Sequence, residues 1–398
     1  MCRLAVVVFA ALLTGQSPSP SASPSSSLDV WTGRLDTMLR TGHADATWFS
    51  PSFLSQVPAS KVDEVIASLK QTLGVYQRVE FTPEKFIAHF EKGTDDVLMH
   101  VGAGDTIDGL LFKPPVVTAS SLADALGSLQ RLPGTLSYVI VEGGLSELAA
   151  FSESRPLAVG SAFKLAVLNG LVDEINKGRL NWREVIPLQA RWKSLPTGVL
   201  RDWPDGTPIT LATYAAEMIS ISDNTAADAL TALVGANALK PYSAGNEPFL
   251  TTREAFILIS KERASLRTEY VAAKTPSARA AILRRVDASP LPSVAQLNTA
   301  SDLIIEWHYS VRELCRLVDR VADLPLMSIN PGVADRSQFR HVAYKGGSGP
   351  GAINMTTMVT TQRGTKICFA ATLNDPRGID ESSFEIAYSA VLEYLASR

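Results

Sequence analysis

Leu4 to Leu13 form a ten-residue apolar run behind Arg3, and small and polar residues follow from Thr14. A charged start, an apolar middle and a small-residue exit make the pattern of a secretory signal, placed here at residues 1–15. No later stretch approaches the roughly 18 uninterrupted apolar residues needed to cross a bilayer, so no span is expected once the signal is removed. Residues 16–27 read QSPSPSASPSSS, seven serines and three prolines in twelve positions. With no core-forming side chain, they predict an extended, mobile linker that holds the folded part away from a membrane or wall.

Periodic patterns begin after this linker. Helical apolar spacing marks 35–40, 50–57 and 60–73, with Ser60 as the expected cap of the third and Asp63 three residues on. Alternating runs follow at 75–82, 85–91, 97–101 and 107–112, separated by short turns with Pro, Gly and Asp, which predicts an antiparallel meander. Residues 28–117 are thus expected to form a small α+β domain, helices first and a curled sheet after. In order of elements alone it resembles the steroid-isomerase-like or nuclear-transport-factor-like cone, a likeness that says little about activity. Asp95, Asp96 and Asp108 are read as solvated turn residues.

Pro114-Pro115 breaks the pattern and leads into a second domain, 118–398. A helix is expected at 122–131, then strands at 137–142 and 147–152 joined by a Gly143-Gly144 turn. A mostly helical middle runs from 161 to about 322. Strands at 339–345, 353–361 and 365–373 and a helix at 382–395 close the chain. A sheet assembled from both ends of the domain, with helices between, implies an antiparallel α/β sandwich.

Composition narrows the function classes. The chain is 46% hydrophobic and 19% charged with a net charge of −3, so disorder is excluded for its bulk. No basic excess or Lys/Arg run marks a nucleic-acid footprint. The three cysteines, Cys2, Cys315 and Cys368, lack the short spacing of a zinc or redox site, and neither metal nor cofactor is expected. Cys2 lies in the signal without the upstream residues a lipid-modified cysteine needs. Cys315 falls in a helix-like segment and Cys368 in a strand-like one. At most one disulfide can join them, and buried free thiols are the expected state.

Three short motifs stand in order on the second domain: Ser161-Ala162-Phe163-Lys164, Ser222-Asp223-Asn224 and Lys345-Gly346-Gly347. Ser161 opens an apolar helix expected over 162–175, where positions i and i+3 put its hydroxyl and the Lys164 amine on one face. A serine hydroxyl is a poor nucleophile without an adjacent base, and a buried lysine beside a second cation loses its proton near neutrality. An S-x-x-K match also arises by chance in a chain this long; its place at a helix start after a sheet is the context the chemistry needs. Ser222 is suited to relay a proton between Lys164, Lys345 and a leaving group. Asn224 is suited to bond Lys164 and a substrate amide, and Asp223 reads as a buried structural acceptor. Equally, the triplet reads as a helix N-cap. Lys345 follows a strand-like run, where its amine can anchor a substrate carboxylate. Gly346 and Gly347 let a substrate backbone approach, and the amides of Ser161 and Ser348 are placed to form an oxyanion hole. The competing reading is a plain hairpin turn, strong for 349–351 and weak for Lys345.

S-x-x-K, S-D-N and K-T-G mark the serine β-lactamases and penicillin-binding proteins, and residues 118–398 resemble their class A-like domain throughout. Pro248-Phe249-Leu250-Thr251-Thr252-Arg253-Glu254 looks like a divergent form of the segment after the Ω-loop. Together with the small domain, it makes the architecture similar to that of the two-domain β-lactamase-like proteins of clavulanic-acid gene clusters. The resemblance implies an exported, extracytoplasmic, monomeric serine hydrolase acting on a small acyl compound through Ser161, Lys164, Ser222 and Lys345. Asn224, Gly346, Gly347 and Ser348 would bind the substrate.

Two departures bear on activity. Gly346 replaces the usual hydroxyl residue of the third motif, which removes a contact to a substrate carboxylate. Class A enzymes also carry a glutamate in an E-x-x-L-N loop that activates the deacylating water, and none occurs between Asp223 and Pro248. Glu247 and Glu254 read as cap or surface residues. Acylation is therefore expected to outrun deacylation of penicillins. Alternatives are a true class A-type β-lactamase or DD-peptidase with another water activator, and a non-catalytic ligand-binding protein. A Ser–His–Asp hydrolase fits poorly, because His43, His89, His100, His308 and His341 include no evident partner and no G-x-S-x-G elbow occurs.

Overall fold

A computed structural model describes residues 24–398 apart from 84, 103, 114, 244 and 298–302. The expected signal and residues 16–23 of the expected linker lie outside the described residues. The last four linker positions are helical, because α1 runs Pro24–Thr41; a proline at the first helical position gives up an N–H that has no partner there anyway. Helix α2 (Pro51–Gln56) is capped by Ser50, whose hydroxyl accepts from the Phe53 amide. Helix α3 (Ala59–Leu73) starts earlier than the expected cap at Ser60, with Pro58 at its N-cap. Asp63 accepts instead from the Ala44 amide at 2.7 Å.

The expected meander follows as β1 (Tyr76–Phe81), β2 (Phe86–Phe90), β3 (Gly93–Gly102) and β4 (Thr106–Phe112), antiparallel in that order, with β5 (Val116–Val117) pairing the start of β3. Leu35, Met38, Ile66 and Leu73 from the helices meet Ala88, Val97 and Ile107 from the sheet in one core. The three aspartates are not turn residues. Asp96 pairs with Lys85 at 2.5 Å and Asp108 lies beside His100 on the neighbouring strand. Asp95 shares the inward phase of Gly93 and Val97 and is fully buried, and neither carboxylate oxygen has a hydrogen-bond partner among the described residues. Burial first, then the Asp96 charge, pushes its pKa up to about 8.

Helix α4 (Leu122–Gln130) leads to β6 (Thr135–Glu142) and β7 (Ser146–Phe151), joined through Gly143 and Gly144, both left-handed at φ 59° and 73°. Next come β8 (Leu157–Ala158), α5 (Lys164–Asn176), β9 (Val185–Pro187), β10 (Pro208–Thr210), α6 (Leu211–Ser220) and α7 (Asn224–Leu239). Helices α8 (Thr252–Leu258), α9 (Ala264–Ala272) and α10 (Pro276–Asp287) follow, then β11 (His308–Tyr309) and α11 (Val311–Val321). Strands β12 (Phe339–Gly349), β13 (Ala352–Thr361) and β14 (Lys366–Asn374) and helix α12 (Glu381–Ala396) end the chain. The described chain divides into two compact units, residues through Leu129 with Ser382–Tyr394, and Gln130–Glu381 with Leu395–Arg398.

The second unit holds one antiparallel sheet drawn from both its ends, in the order β12-β13-β14-β6-β7, so β12 is an edge. The first two turns of α5, Lys164 to Leu171, are buried on every side, which their mostly apolar sequence permits. Helix α11, capped by the reciprocal Ser310–Glu313 pair, buries Leu314, Cys315, Leu317 and Val318. Its packing on β14 brings Cys315 to Cys368, and the two are disulfide-bonded with Cα atoms 5.8 Å apart. The expected free thiols are therefore corrected: a helix crossing a strand sets side by side two residues that sequence distance separates. Among the described residues no helix is long and apolar enough to cross a membrane.

Candidate active site

Ser161 lies in a single 3-10 turn, Gly160–Phe163, that feeds directly into α5, so the expected helix over 162–175 begins as a tighter coil. Gly160 is left-handed at φ 51°. A β-carbon there would fall 2.9 Å from the Ser348 nitrogen, and one at Gly347 would fall 2.2 Å from the Ser161 nitrogen. Two glycines thus let the edge strand β12 lie directly against the turn that carries Ser161. Behind it, the Phe163 ring stacks on Trp307 at 3.9 Å between centroids, and the Val159 amide donates to the Trp307 carbonyl. The turn that carries Ser161 is fixed from both sides.

Lys164 is fully buried. Its Nζ lies 3.2 Å from Ser161 Oγ, 3.0 Å from Ser222 Oγ, and 2.6 Å from both the Ser222 carbonyl and Asn224 Oδ1. Burial, and then the charge of Lys345, hold its pKa well below the ordinary lysine range. Ser222 is left-handed at φ 58°, a conformation that costs a non-glycine residue energy. Its carbonyl receives the Lys164 amine and also the Thr197 hydroxyl at 2.7 Å, which hold it there. Asp223 serves both readings made from sequence. It N-caps α7 by accepting from the Ala226 amide, and its other oxygen takes the Val199 and Leu200 amides at 2.7 and 2.9 Å. Asn224, the first residue of α7, gives its amide N–H to the Leu195 carbonyl.

Lys345 on β12 is buried, with Nζ 3.1 Å from Ser222 Oγ, so Ser222 bridges the two lysines. Burial lowers its pKa to about 7. Ser161, Lys164, Ser222, Asn224 and Lys345 come together in one cluster, and Gly347 and Ser348 border it through their backbones. The hairpin reading applies only to Pro350-Gly351, the two residues between β12 and β13.

The segment after Asp223 supports this cluster from behind. Thr251 caps α8 in a reciprocal pair with Glu254, whose carboxylate accepts from the Thr251 amide and hydroxyl. Thr252 bonds Asp228 and Ser194 and reaches the Asn224 carbonyl at 3.3 Å. Glu254 is thus a cap and Glu247 an exposed residue. His341 faces Ser328 at 2.8 Å, and His308 is half-buried with its backbone bonded to Asn246. Sequence reasoning passed over Gly160, Gly198 and Thr197, which hold the loops in place. A β-carbon at Gly198 would strike the Asp223 carboxylate. It also passed over Tyr344, next to Lys345.

No curated protein matches the chain. Among solved structures it is similar to a β-lactamase from Sphaerobacter thermophilus, at 19% identity over 70% of this chain and 96% of that one, with a TM-score of 0.48. It is similar to a class A β-lactamase from Bacteroides cellulosilyticus at 16% identity over 69% and 96%, TM-score 0.47. PBP-A is similar at 18% identity over 71% and 98%, TM-score 0.44. Residues 119–286, which include Ser161, Lys164 and the Ser222-Asp223-Asn224 triplet, match the model of the β-lactamase enzyme family. The match covers the part of the chain that carries the first two motifs, and the second unit, with one antiparallel sheet and helices about it, has the α/β sandwich architecture expected.

Proposed function

We propose that the chain is an exported, monomeric β-lactamase-like serine hydrolase that forms an acyl-enzyme at Ser161 with β-lactams, esters or related acyl compounds. The arrangement of partners around Lys164 Nζ carries this reading. Two of the four, the Ser222 carbonyl and Asn224 Oδ1, can only accept hydrogen bonds. A neutral amine has two N–H groups for them and one lone pair left over; an ammonium has no lone pair. Burial beside Lys345 favours the neutral form. The free lone pair can then take the Ser161 proton as Oγ attacks the acyl carbon.

In this scheme the lactam C–N or ester C–O bond breaks as the Oγ–C bond forms, and the proton travels through Ser222 to the departing atom. Lys345 anchors a substrate anion, Asn224 bonds a substrate amide, and the Ser161 and Ser348 amides hold the oxyanion. Deacylation of penicillins is slow, because Glu254 is committed to its cap and no E-x-x-L-N glutamate stands ready. Export is supported by the apolar N-terminal run and by a disulfide that suits an oxidising compartment.

The test is intact-protein mass spectrometry over time with a penicillin, a cephalosporin and a short-chain ester. A penicilloyl adduct that persists on the wild type and is absent from Ser161→Ala is the expected result. Rapid penicillin turnover without an adduct would instead make this a class A-type β-lactamase or DD-peptidase. Silence with all three compounds would leave a non-catalytic binding protein.

A further inference from the structure

A cavity of about 230 Å³ is lined by Tyr270 of α9, Arg279 of α10, and Glu247, Leu250 and Trp307. An outer hollow of about 430 Å³ adjoins it, and the two share Glu247 and Arg279, so they form one recess of the size that takes a small organic molecule. None of Ser161, Lys164, Ser222, Asn224 and Lys345 lines it. Its apolar wall is fixed, because Trp307 stacks on Phe163 and its Nε1 donates to the Leu250 carbonyl at 3.1 Å. Arg279 is held as well. Thr275 caps α10 with Pro276 at its first position, and one turn in, the Arg279 guanidinium lies 5.2 Å from the centroid of the buried Tyr270 ring. Its Nε donates to the Ala273 carbonyl at 3.2 Å, which leaves the fork of terminal nitrogens for other acceptors. Glu247 is exposed and faces the same recess, yet among the described residues neither it nor Arg279 is in an ion pair. Lys274 adds a second cation to the outer hollow. His308 adds none near neutrality, since burial lowers its pKa, and Glu306 has interactions of its own.

We propose that this recess is a second binding site, for a zwitterion of the amino-acid type, whose carboxylate pairs with Arg279, whose ammonium pairs with Glu247 and whose apolar side chain lies along Leu250 and Trp307. The site is separate from the Ser161 cluster and does not depend on the acyl-enzyme reading. Opposite charges that face one recess without meeting are both completed by a ligand that carries both. The planar fork of an arginine matches a carboxylate in two parallel hydrogen bonds, and an ammonium is a compact donor for a glutamate. A plain anion meets repulsion from Glu247 and a plain cation meets it from Arg279 and Lys274, so the wall discriminates against either alone. Because Arg279 is already held by Tyr270 and Ala273, little side-chain freedom is lost on binding.

The experiment is isothermal titration calorimetry of the full chain with leucine, with N-acetylleucine, which lacks the ammonium, and with leucinamide, which lacks the carboxylate. Leucine should bind, and each blocked compound should bind about 10- to 100-fold more weakly, the usual effect of losing a hydrogen bond to a charged group. Arg279→Ala should weaken leucine by a similar factor. Glu247→Gln should do the same and should no longer distinguish leucine from N-acetylleucine, as the pairing of that side chain with the ammonium requires. Ser161→Ala and Lys345→Ala should bind leucine as the wild type does, which separates this site from the Ser161 cluster. No heat from leucine at millimolar concentration overturns the proposal. So does binding that Lys345→Ala removes and Arg279→Ala leaves intact, and so does equal affinity for the three compounds.

Discussion

Asp95 and the Lys164–Lys345 pair are buried ionisable groups with opposite treatment. The lysines are surrounded by hydroxyls and carbonyls that use their amines. Asp95 has no such partners among the described residues, so protonation relieves its desolvation. Its folded pKa of about 8 lies above the unfolded value near 3.8, so the folded state binds the extra proton between those limits. Stability is then greatest at the acid end and falls as pH rises through the window, by on the order of a few kcal/mol. Urea denaturation at pH 5 and pH 9 should show this loss in the wild type and a much smaller one in Asp95→Asn. A wild-type stability that does not fall with pH would mean Asp95 is solvated. The misreading of Asp95 has a plain cause. An Asp-Asp pair next to glycine has turn composition, and one polar residue inside an alternating run disguises the inward phase that Gly93 and Val97 share.

At the scale of elements, the contact between the Gly160–Phe163 turn and β12 controls the site. Gly160→Ala would force a side chain into a left-handed residue and against the Ser348 amide. The expected outcome is a destabilisation of about 1–3 kcal/mol, read by thermal melting, with acylation reduced by about 100-fold or more. Acylation at the wild-type rate would show that the strand and the turn can separate without consequence. The elements themselves were legible because their periods are strong: the four-strand meander and the closing strands fall within a few residues of the expected ranges. So was the gathering of Ser161, Lys164, Ser222 and Lys345 in one place, since each motif sits at a helix start, in a loop or on a strand. The place of Tyr344 was not, although strand alternation sets it on the same face as Gly346. The caps were half legible. Ser60 has the right composition for one, but a proline before it set the start of α3.

For the whole molecule, the bond between Cys315 and Cys368 closes a loop across 53 residues, from α11 to the third strand of the sheet. Cross-links of that reach constrain the unfolded chain and typically add about 2–4 kcal/mol. Guanidinium denaturation followed by tryptophan fluorescence should show a lower midpoint for Cys315→Ser or for reduced protein than for the oxidised form. Equal midpoints would mean that the bond adds nothing to stability. This link was illegible from sequence because two cysteines on elements of different type, far apart along the chain, give no spacing signal. Only the packing of α11 on β14 makes them neighbours.

The free edge of β12 has a further consequence. A strand that leaves its N–H and C=O groups open to a ligand leaves them open equally to a strand of another chain, which is the geometry of aggregation. Here the edge stretch beside the site runs Lys345 to Gly349, followed at once by Pro350. Glycine has poor strand propensity, a cation resists stacking against its own copy, and proline cannot donate to a ladder. This short, glycine-rich run is thus a poor template for a second strand, and an edge position need not come with a tendency to self-associate.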